Sequence, residues 1–334
     1  MKAKEAARNA LDCVLETVSA EHVLIICDDE KLNVGTAFGE GALDLDVWTR
    51  LITLETSGKL RSKIPSQLVE VLSSQKPDVY VNLLRGRGDE TPFRLKLIHL
   101  ETKEKRARLG HCPGVTLRML TKGALALTGK DHRRMQKFAL DLIKALSGTS
   151  RIIITSSLGT ELSFSVLDRP FFTDTVLDWE KMKWMNLPTG EVIVAPREDS
   201  LEGKLVCDSA VGGLGPIERP VELMVKNGVV KATHSDDERA LMKIKQFLQV
   251  DESARIVGEF AFGINPMAGL SENFLEAEKT FGTIHIAFGH NTDMPGGKNS
   301  SKTHTDFLMT NPIVQVVKGN GDAITILSDG KFRI

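Results

Sequence analysis

Apolar positions recur on a helical period at the start of the chain and on a strand period through most of its second half. Residues 3–20 place Ala7, Leu11, Val14, Leu15 and Val18 on one helical face. The run VLIICDD (23–29) reads as a buried strand passing into an acidic loop. PSQLVEVLSSQ (65–75) has the pattern of a helix and DVYVNLL (78–84) that of a strand. A further helix is predicted from Asp131, taken as its N-cap, to Leu146; it aligns Met135, Phe138, Leu142, Ile143 and Leu146 and stops at Gly148. Alternating strand and helix up to this point imply a layered α/β unit.

After SGTS (147–150) the period changes. RIIITSS, ELSFSVL, EVIVAP, KLVCDSAV, VELMVKNGVV, RIVGEFAFGI, TIHIAFG, PIVQVV and AITIL are short β-type runs bounded by Gly, Pro or Asn. Among them only DDERALMKIKQFL (236–248) is strongly helical. The expected organisation is therefore an α/β protein, α+β overall. An N-terminal layered α/β domain spans 1–149, and a β-rich domain spans 150–334.

A chain of 334 residues can form one large domain or two ordinary ones. Its 41% hydrophobic and 26% charged residues are ordinary for a globular protein. A formal charge of −1 argues against nucleic acid or an anionic membrane as partner. No apolar run approaches the roughly 18 residues of a membrane span. The first 20 residues carry charges throughout and lack the apolar core of a secretion signal. Cys13, Cys27, Cys112 and Cys207 are scattered without a CxxC pair, which points to reduced thiols in a cytoplasm.

Five residues of the second half carry the candidate chemistry: Glu191 in NLPTGEVIVAP, Glu259 in IVGEFAFGINP, His285 in GTIHIAFG, and His304 and Asp306 in THTDFL. On a strand, alternate side chains share a face, so HTD presents both of its ligating groups together. His285 shares its parity with the small Thr283 and Ala287, which leaves room for a cation. Glu259 lies between Val257 and Ala261 on one face of an apolar run, where a carboxylate needs a partner. Three carboxylates and two imidazoles suit borderline divalent ions. Taken singly, each of these residues would more ordinarily be a satisfied buried polar group.

Together these runs resemble those of the aminopeptidase T and aminopeptidase S family of metallo-aminopeptidases. In that family an N-[LI]-P-x-G-E-V-x-x-A-P run, a G-E run, an H-I-A-x-G run and an H-x-D pair hold two divalent metals. The resemblance covers most of residues 131–334. It implies a dinuclear site, filled by Zn²⁺ or Co²⁺, with Glu191, Glu259, His285, His304 and Asp306 as ligands and Glu259 bridging. It also implies hydrolytic release of N-terminal amino acids from a peptide or amino-acid amide, and a homodimer. The chain departs from the family in two respects: a Tyr expected shortly after H-I-A-x-G is absent, with Thr292 falling about at its place, and the segment from His285 to His304 is shorter than in typical members. The only tyrosine is Tyr80.

An alternative is a mononuclear Fe(II) ring-cleaving enzyme resembling 2,5-dihydroxypyridine dioxygenase, which is similar in size and in the run GGKNSSKTHTD. His285, His304 and Asp306 could supply its two-His-one-carboxylate set. Retention of Glu259 and His285 favours the dinuclear hydrolase. A non-catalytic metal-binding homologue is the third reading, supported by the missing Tyr.

In the first half, RLGHCPGVT places His111 beside Cys112 and Pro113. His111 is a candidate acid/base or substrate contact, and a loop histidine is the plainer alternative. GGLGP (212–216) is not followed by a helical pattern, so a tight turn is expected there rather than a phosphate cradle. His290 and Asp293 flank the metal motifs as loop residues that could shape the pocket.

Overall fold

Helix α1 (Ala3–Cys13) buries Ala6, Ala7, Ala10 and Leu11. It is shorter than the period suggests: Glu16 takes a positive φ of 51°, and Val18 is exposed beyond it. Strand β1 (His22–Asp28) is buried from Val23 to Asp28 and is followed by α2 (Leu32–Leu43), β2 (Trp48–Leu54), α3 (Ser66–Gln75) and β3 (Val79–Leu83). Then come α4 (Thr91–Glu101), β4 (Arg108–His111), α5 (Leu117–Lys122) and α6 (Gly129–Leu146). Asp131 is not the N-cap of α6. Its carboxylate accepts from the Thr128 N–H at 3.1 Å, while its own N–H donates to Thr128 Oγ1 at 3.2 Å, the reciprocal pattern of a capping box begun one turn earlier. Gly148, at φ 72°, ends the helix in the left-handed conformation expected of a C-terminal glycine.

The chain continues through β5 (Thr149–Thr155), β6 (Glu161–Ser165), β7 (Phe172–Thr173), β8 (Trp184–Asn186) and β9 (Glu191–Val194). Strands β10 (Glu202–Cys207), β11 (Ala210–Val211), β12 (Gly215–Pro216), β13 (Val221–Lys226) and β14 (Val229–His234) precede α7 (Glu238–Leu248). The remaining elements are β15 (Val257–Gly263), α8 (Phe274–Ala277), β16 (Ile284–Gly289), β17 (His304–Met309), β18 (Ile313–Lys318), β19 (Ala323–Ser328) and β20 (Lys331–Phe332).

The computed structural model describes residues 1–56, 58 and 60–334. These residues divide into two units: Met1–Gln136 with Asp174–Thr189, and Lys137–Thr173 with Gly190–Ile334. The single boundary expected at 149 is thus displaced into α6, and 174–189 belongs to the first unit. The physical cause is β8, three residues too short to be read from a pattern, which pairs in parallel with β4. The expected α/β fold class holds.

In the first unit the sheet order is β2-β1-β3-β4-β8, and every pairing is parallel. A parallel sheet needs helical crossovers, which explains the alternation seen in the sequence. Leu24, Tyr80, Phe93 and Leu109 are among the core residues on one side. The strand order reverses between β1 and β3, the place where open α/β sheets commonly take ligands. Here that crevice carries ion pairs: Arg61 with Asp28 and Glu90, and Arg85 with Glu90.

The second unit holds an eight-stranded sheet, β14-β13-β10-β6-β5-β18-β19-β20, and a seven-stranded one, β12-β11-β17-β16-β15-β9-β7. Asn227 and Gly228, at φ 52° and 72°, turn β13 back into β14, as an Asn-Gly pair does in tight hairpins. Phe164 of one sheet meets Phe260 of the other, with ring centroids 5.3 Å apart. One face of the seven-stranded sheet thereby enters the core, and the opposite parity of the same strands is left for polar residues.

Candidate metal centre

The central strands β9, β15, β16 and β17 present that opposite parity in rows. Glu259 is the register partner of Ala287, and Ala287 that of Asp306. In the next row Ala261 pairs with His285, and beyond it Gly263 pairs with Glu191. His304 pairs with Gly289 and lies two residues from Asp306, on the same face. Alanine and glycine thus sit between the large polar groups, as the small neighbours in the sequence foretold. On the other parity Phe260, Phe262, Ile284, Ile286, Phe288 and Phe307 are fully buried.

All five expected residues come together. His285 Nε2 lies 3.2 Å from Glu259 Oε1, 3.3 Å from Glu191 Oε1 and 4.0 Å from Asp306 Oδ1. His304 Nε2 lies 3.0 Å from Glu259 Oε2 and 3.2 Å from Asp306 Oδ1. Glu259 therefore offers one oxygen to each imidazole. Glu191, Glu259 and His285 are buried, whereas the His304 side chain keeps 29% exposure and marks the open edge.

Backbone contacts aim these groups. His304 Nδ1–H donates to the His290 carbonyl at 2.7 Å, which leaves Nε2 as the ring nitrogen that faces the carboxylates. The loop carrying His290 is fixed by Asn299, whose Nδ2 donates to the Gly289 and Ser253 carbonyls, and by Asn291, whose Nδ2 donates to the Gly258 carbonyl. Gly190 (φ 138°) precedes Glu191 where a Cβ would lie 2.5 Å from Asn265 Cβ, so only glycine lets these segments approach. Gly212, in the run expected to be a tight turn, donates its N–H to the Asp306 carbonyl at 2.8 Å.

The electrostatics favour positive charge at this point. Burial works against the imidazolium of His285, yet the Glu259, Asp306 and Glu278 carboxylates raise its pKa above the ordinary value. Loss of water opposes charge on His304 as well, but Asp306 and Glu259 raise its pKa well above the usual range. Glu259 is desolvated, and the two imidazoles nevertheless hold it well below the carboxylate range.

Sequence reasoning missed Glu278 and Lys279. Glu278 offers a ligand atom within 4.8 Å of those of His285 and Asp306, and burial pushes its pKa up to about 8. Lys279 is buried and bonds both Glu191 Oε2 and Glu278 Oε1. Their signal was a Glu-Lys pair standing shortly before the H-I-A-F-G run. Four carboxylates thus surround two imidazoles and one ammonium. That donor set fits divalent cations: Glu191, Glu259 and His285 form one possible triad, and Glu259, His304 and Asp306 another.

His111 belongs to the first unit, on β4. It is buried, its Nδ1 hydrogen-bonds Asn82 Oδ1, and its ring meets Trp184 edge-on with centroids 6.1 Å apart. Burial and the nearby Arg94 lower its pKa to about 3, so the ring is neutral. Cys112 beside it is buried, and burial raises its thiol far above a nucleophile's range. Thr292, at the place of the expected Tyr, is exposed and pairs its hydroxyl with His290 Nε2 at 3.1 Å. Asp293 is exposed and lies 3.9 Å from the same nitrogen.

Comparison with known proteins gives four findings. The family model described as thermophilic metalloprotease (M29) matches residues 130–332. The 2,5-dihydroxypyridine 5,6-dioxygenase of Pseudomonas putida is 24% identical over 205 residues, covering 56% of this chain and 56% of that relative, little more than half its length. Among solved structures, wild-type AmpT from Thermus thermophilus aligns over 100% of this chain and 99% of its own, at TM-score 0.75 and 16% identity. The 2,5-dihydroxypyridine dioxygenase from Pseudomonas putida KT2440 aligns over 99% and 96%, at TM-score 0.73 and 16% identity. At that identity the likeness concerns the fold.

Proposed function

The chain belongs to the thermophilic metalloprotease (M29) family, and from that premise we propose that it is a two-metal aminopeptidase that hydrolyses the first amide bond of a peptide or amino-acid amide. The observation that carries the reading is Glu259, whose two oxygens face two different imidazoles at 3.2 and 3.0 Å. A carboxylate so placed is built to serve two cations at once. Glu191 and His285 would complete one position, and His304 and Asp306 the other; Zn²⁺ or Co²⁺ suits these donors.

When bound, such a pair supplies Lewis acidity and a hydroxide at neutral pH. The chain's own residues prepare the ground. The His290 carbonyl fixes the His304 tautomer, so that this ring presents Nε2. The apolar parity of β15–β17 keeps water from beneath the cluster, and the exposed edge at His304 leaves access for substrate. With Thr292 where the family carries a Tyr, we expect slow turnover of standard leucine substrates, since one transition-state donor is commonly worth ~3 kcal/mol.

The second reading is the Fe(II) ring-cleaving dioxygenase, favoured by the similarity to the Pseudomonas putida enzyme. Glu259 supports the hydrolase over it, because a facial two-His-one-carboxylate set has no use for a carboxylate shared by both rings. We also propose a cytoplasmic homodimer. No helix among the described residues is long and apolar enough to cross a membrane, and Cys13, Cys27, Cys112 and Cys207 are all free thiols. The test is metal analysis of protein purified without chelator, together with release of amino acids from amides. Two zinc-class ions and cleavage are expected; oxygen consumption with Fe²⁺ and a hydroxylated pyridine, without cleavage, would replace the hydrolase with the oxygenase.

A further inference from the structure

Glu191 is held from two sides. Its Oε1 lies 3.3 Å from His285 Nε2, and its Oε2 bonds the ammonium of Lys279. Lys279 Nζ also lies 2.8 Å from Glu278 Oε1, and the side chains of Lys279 and Glu191 are only 3% and 5% exposed. Neither end of the Lys279–Glu191 pair is free to swing. The Ile264 N–H donates to the Gly190 carbonyl at 2.8 Å, and the Asn265 N–H donates to the Lys279 carbonyl at 2.9 Å. Two consecutive residues therefore clamp the backbone beside Glu191 to the backbone of Lys279. Among the described residues no lysine or arginine forms an ion pair with Glu259 or Asp306; their partners are the two imidazoles.

We propose that Lys279 is a positioning residue that acts as an internal cation and makes the two metal positions unequal. It holds Glu191 by Oε2 and leaves Oε1 as that residue's donor beside His285. Its charge already compensates Glu191, so a divalent ion at Glu191–Glu259–His285 gains less there and meets a fixed positive neighbour at close range. At Glu259–His304–Asp306 no lysine or arginine among the described residues forms an ion pair with the carboxylates. The protein accordingly takes one cation tightly and a second weakly. This inference rests on the two-metal reading of the site.

The experiment is calorimetric titration of chelator-stripped, dialysed full-length protein with Zn²⁺, for the unaltered chain and for Lys279→Met, Lys279→Gln and Lys279→Arg. The unaltered chain should show a tight event and a second one weaker by about tenfold or more. Lys279→Met should tighten the second event by about tenfold and leave the first within about threefold, while the metal-free protein melts at a lower temperature, because the buried Glu191 carboxylate has lost its countercharge. Lys279→Gln keeps donors for Glu191 and Glu278 without the charge and should also tighten the second event, so the idea stays testable if the methionine variant does not fold. Lys279→Arg keeps the charge and should behave as the unaltered chain. Two equal events that no substitution moves, or a second event weakened in the neutral variants, would overturn the role of Lys279. Absence of any binding by the unaltered, folded chain would overturn the metal reading itself.

Discussion

Glu259 is one side chain asked to serve two imidazoles, and no other residue in the cluster does so through separate oxygens. Glu259→Gln keeps the shape and removes the charge. Metal affinity should fall by more than the about 10–100-fold that loss of an outer partner costs, and amide hydrolysis should fall with it. Dialysis against Zn²⁺ followed by metal analysis measures the first, and leucine-amide turnover the second; a variant that keeps both metals and full activity would remove Glu259 from the centre. Glu101 offers a separate test of burial. It is fully buried, accepts from Asn82 Nδ2 at 2.9 Å, and burial raises its pKa to about 8 from an ordinary 4.5. The folded state thus holds a proton that the unfolded chain releases between these values. Its contribution is complete below the unfolded value and lost as pH rises through the folded one, by at most about 1.4 kcal/mol per pH unit. Glu101→Gln should flatten stability against pH between 5 and 8 and be the more stable protein at pH 8. Urea unfolding at three pH values reads this, and parallel curves for the two proteins would refute it. His111 shows the limit of residue-scale reading. His next to Cys looks reactive in a string, and the fold buries both.

At the scale of elements, the site depends on the register of β15, β16 and β17. Gly289 pairs with His304 at φ 113°, and a Cβ there would lie 2.1 Å from the Thr303 carbonyl oxygen. Gly289→Ala must either break that pairing or strain it, and should cost more than ~2 kcal/mol. It should also weaken metal binding, because His304 moves with the strand end. Gly148→Ala makes a useful contrast: φ is 72° and nothing lies within 4 Å of the added carbon. It should cost ~1 kcal/mol and leave metal binding unchanged. Equal losses of stability and metal affinity in both variants would show that register at Gly289 is not what matters. The strands themselves were legible because their period is two and their ends carry turn residues. Strand β8 was not, since three residues hold no period, and its identity as a strand comes from β4.

For the whole molecule, the return of 174–189 to the first unit makes a cut at residue 149 damaging. A fragment of residues 1–149 lacks β8 and leaves Leu109, Gly110 and His111 paired on the β3 side alone, with the other edge of β4 open. We expect it to unfold broadly or aggregate, where the intact chain unfolds cooperatively. A well-dispersed amide spectrum from that fragment would show β8 to be dispensable. Metal should stabilise the whole chain by mass action, by about 2.7 kcal/mol at a hundred times the dissociation constant. Scanning calorimetry with and without chelator should show that rise; an unchanged midpoint with Zn²⁺ present would argue against cations bound only by the folded state.

The sequence by itself determined whatever depends on neighbours along the chain. The alternation of HTD puts His304 and Asp306 on one face, small residues flank His285, the Asn227–Gly228 pair makes its hairpin, and Gly148 stops α6. The five candidate ligands were therefore legible, each in its own short run, and their likeness to a family grouped them. Tertiary structure decided what depends on residues distant in the chain. It set the rows that align Glu259, Ala287 and Asp306, the clamp through Asn265, and the approach of Gly212 to Asp306. It also brought Glu278 and Lys279 beneath Glu191, although nothing in their own run has a ligand's pattern. The physical reason is that period and turn chemistry are local, whereas strand register and the pairing of buried charges are settled only when separate strands and loops pack together.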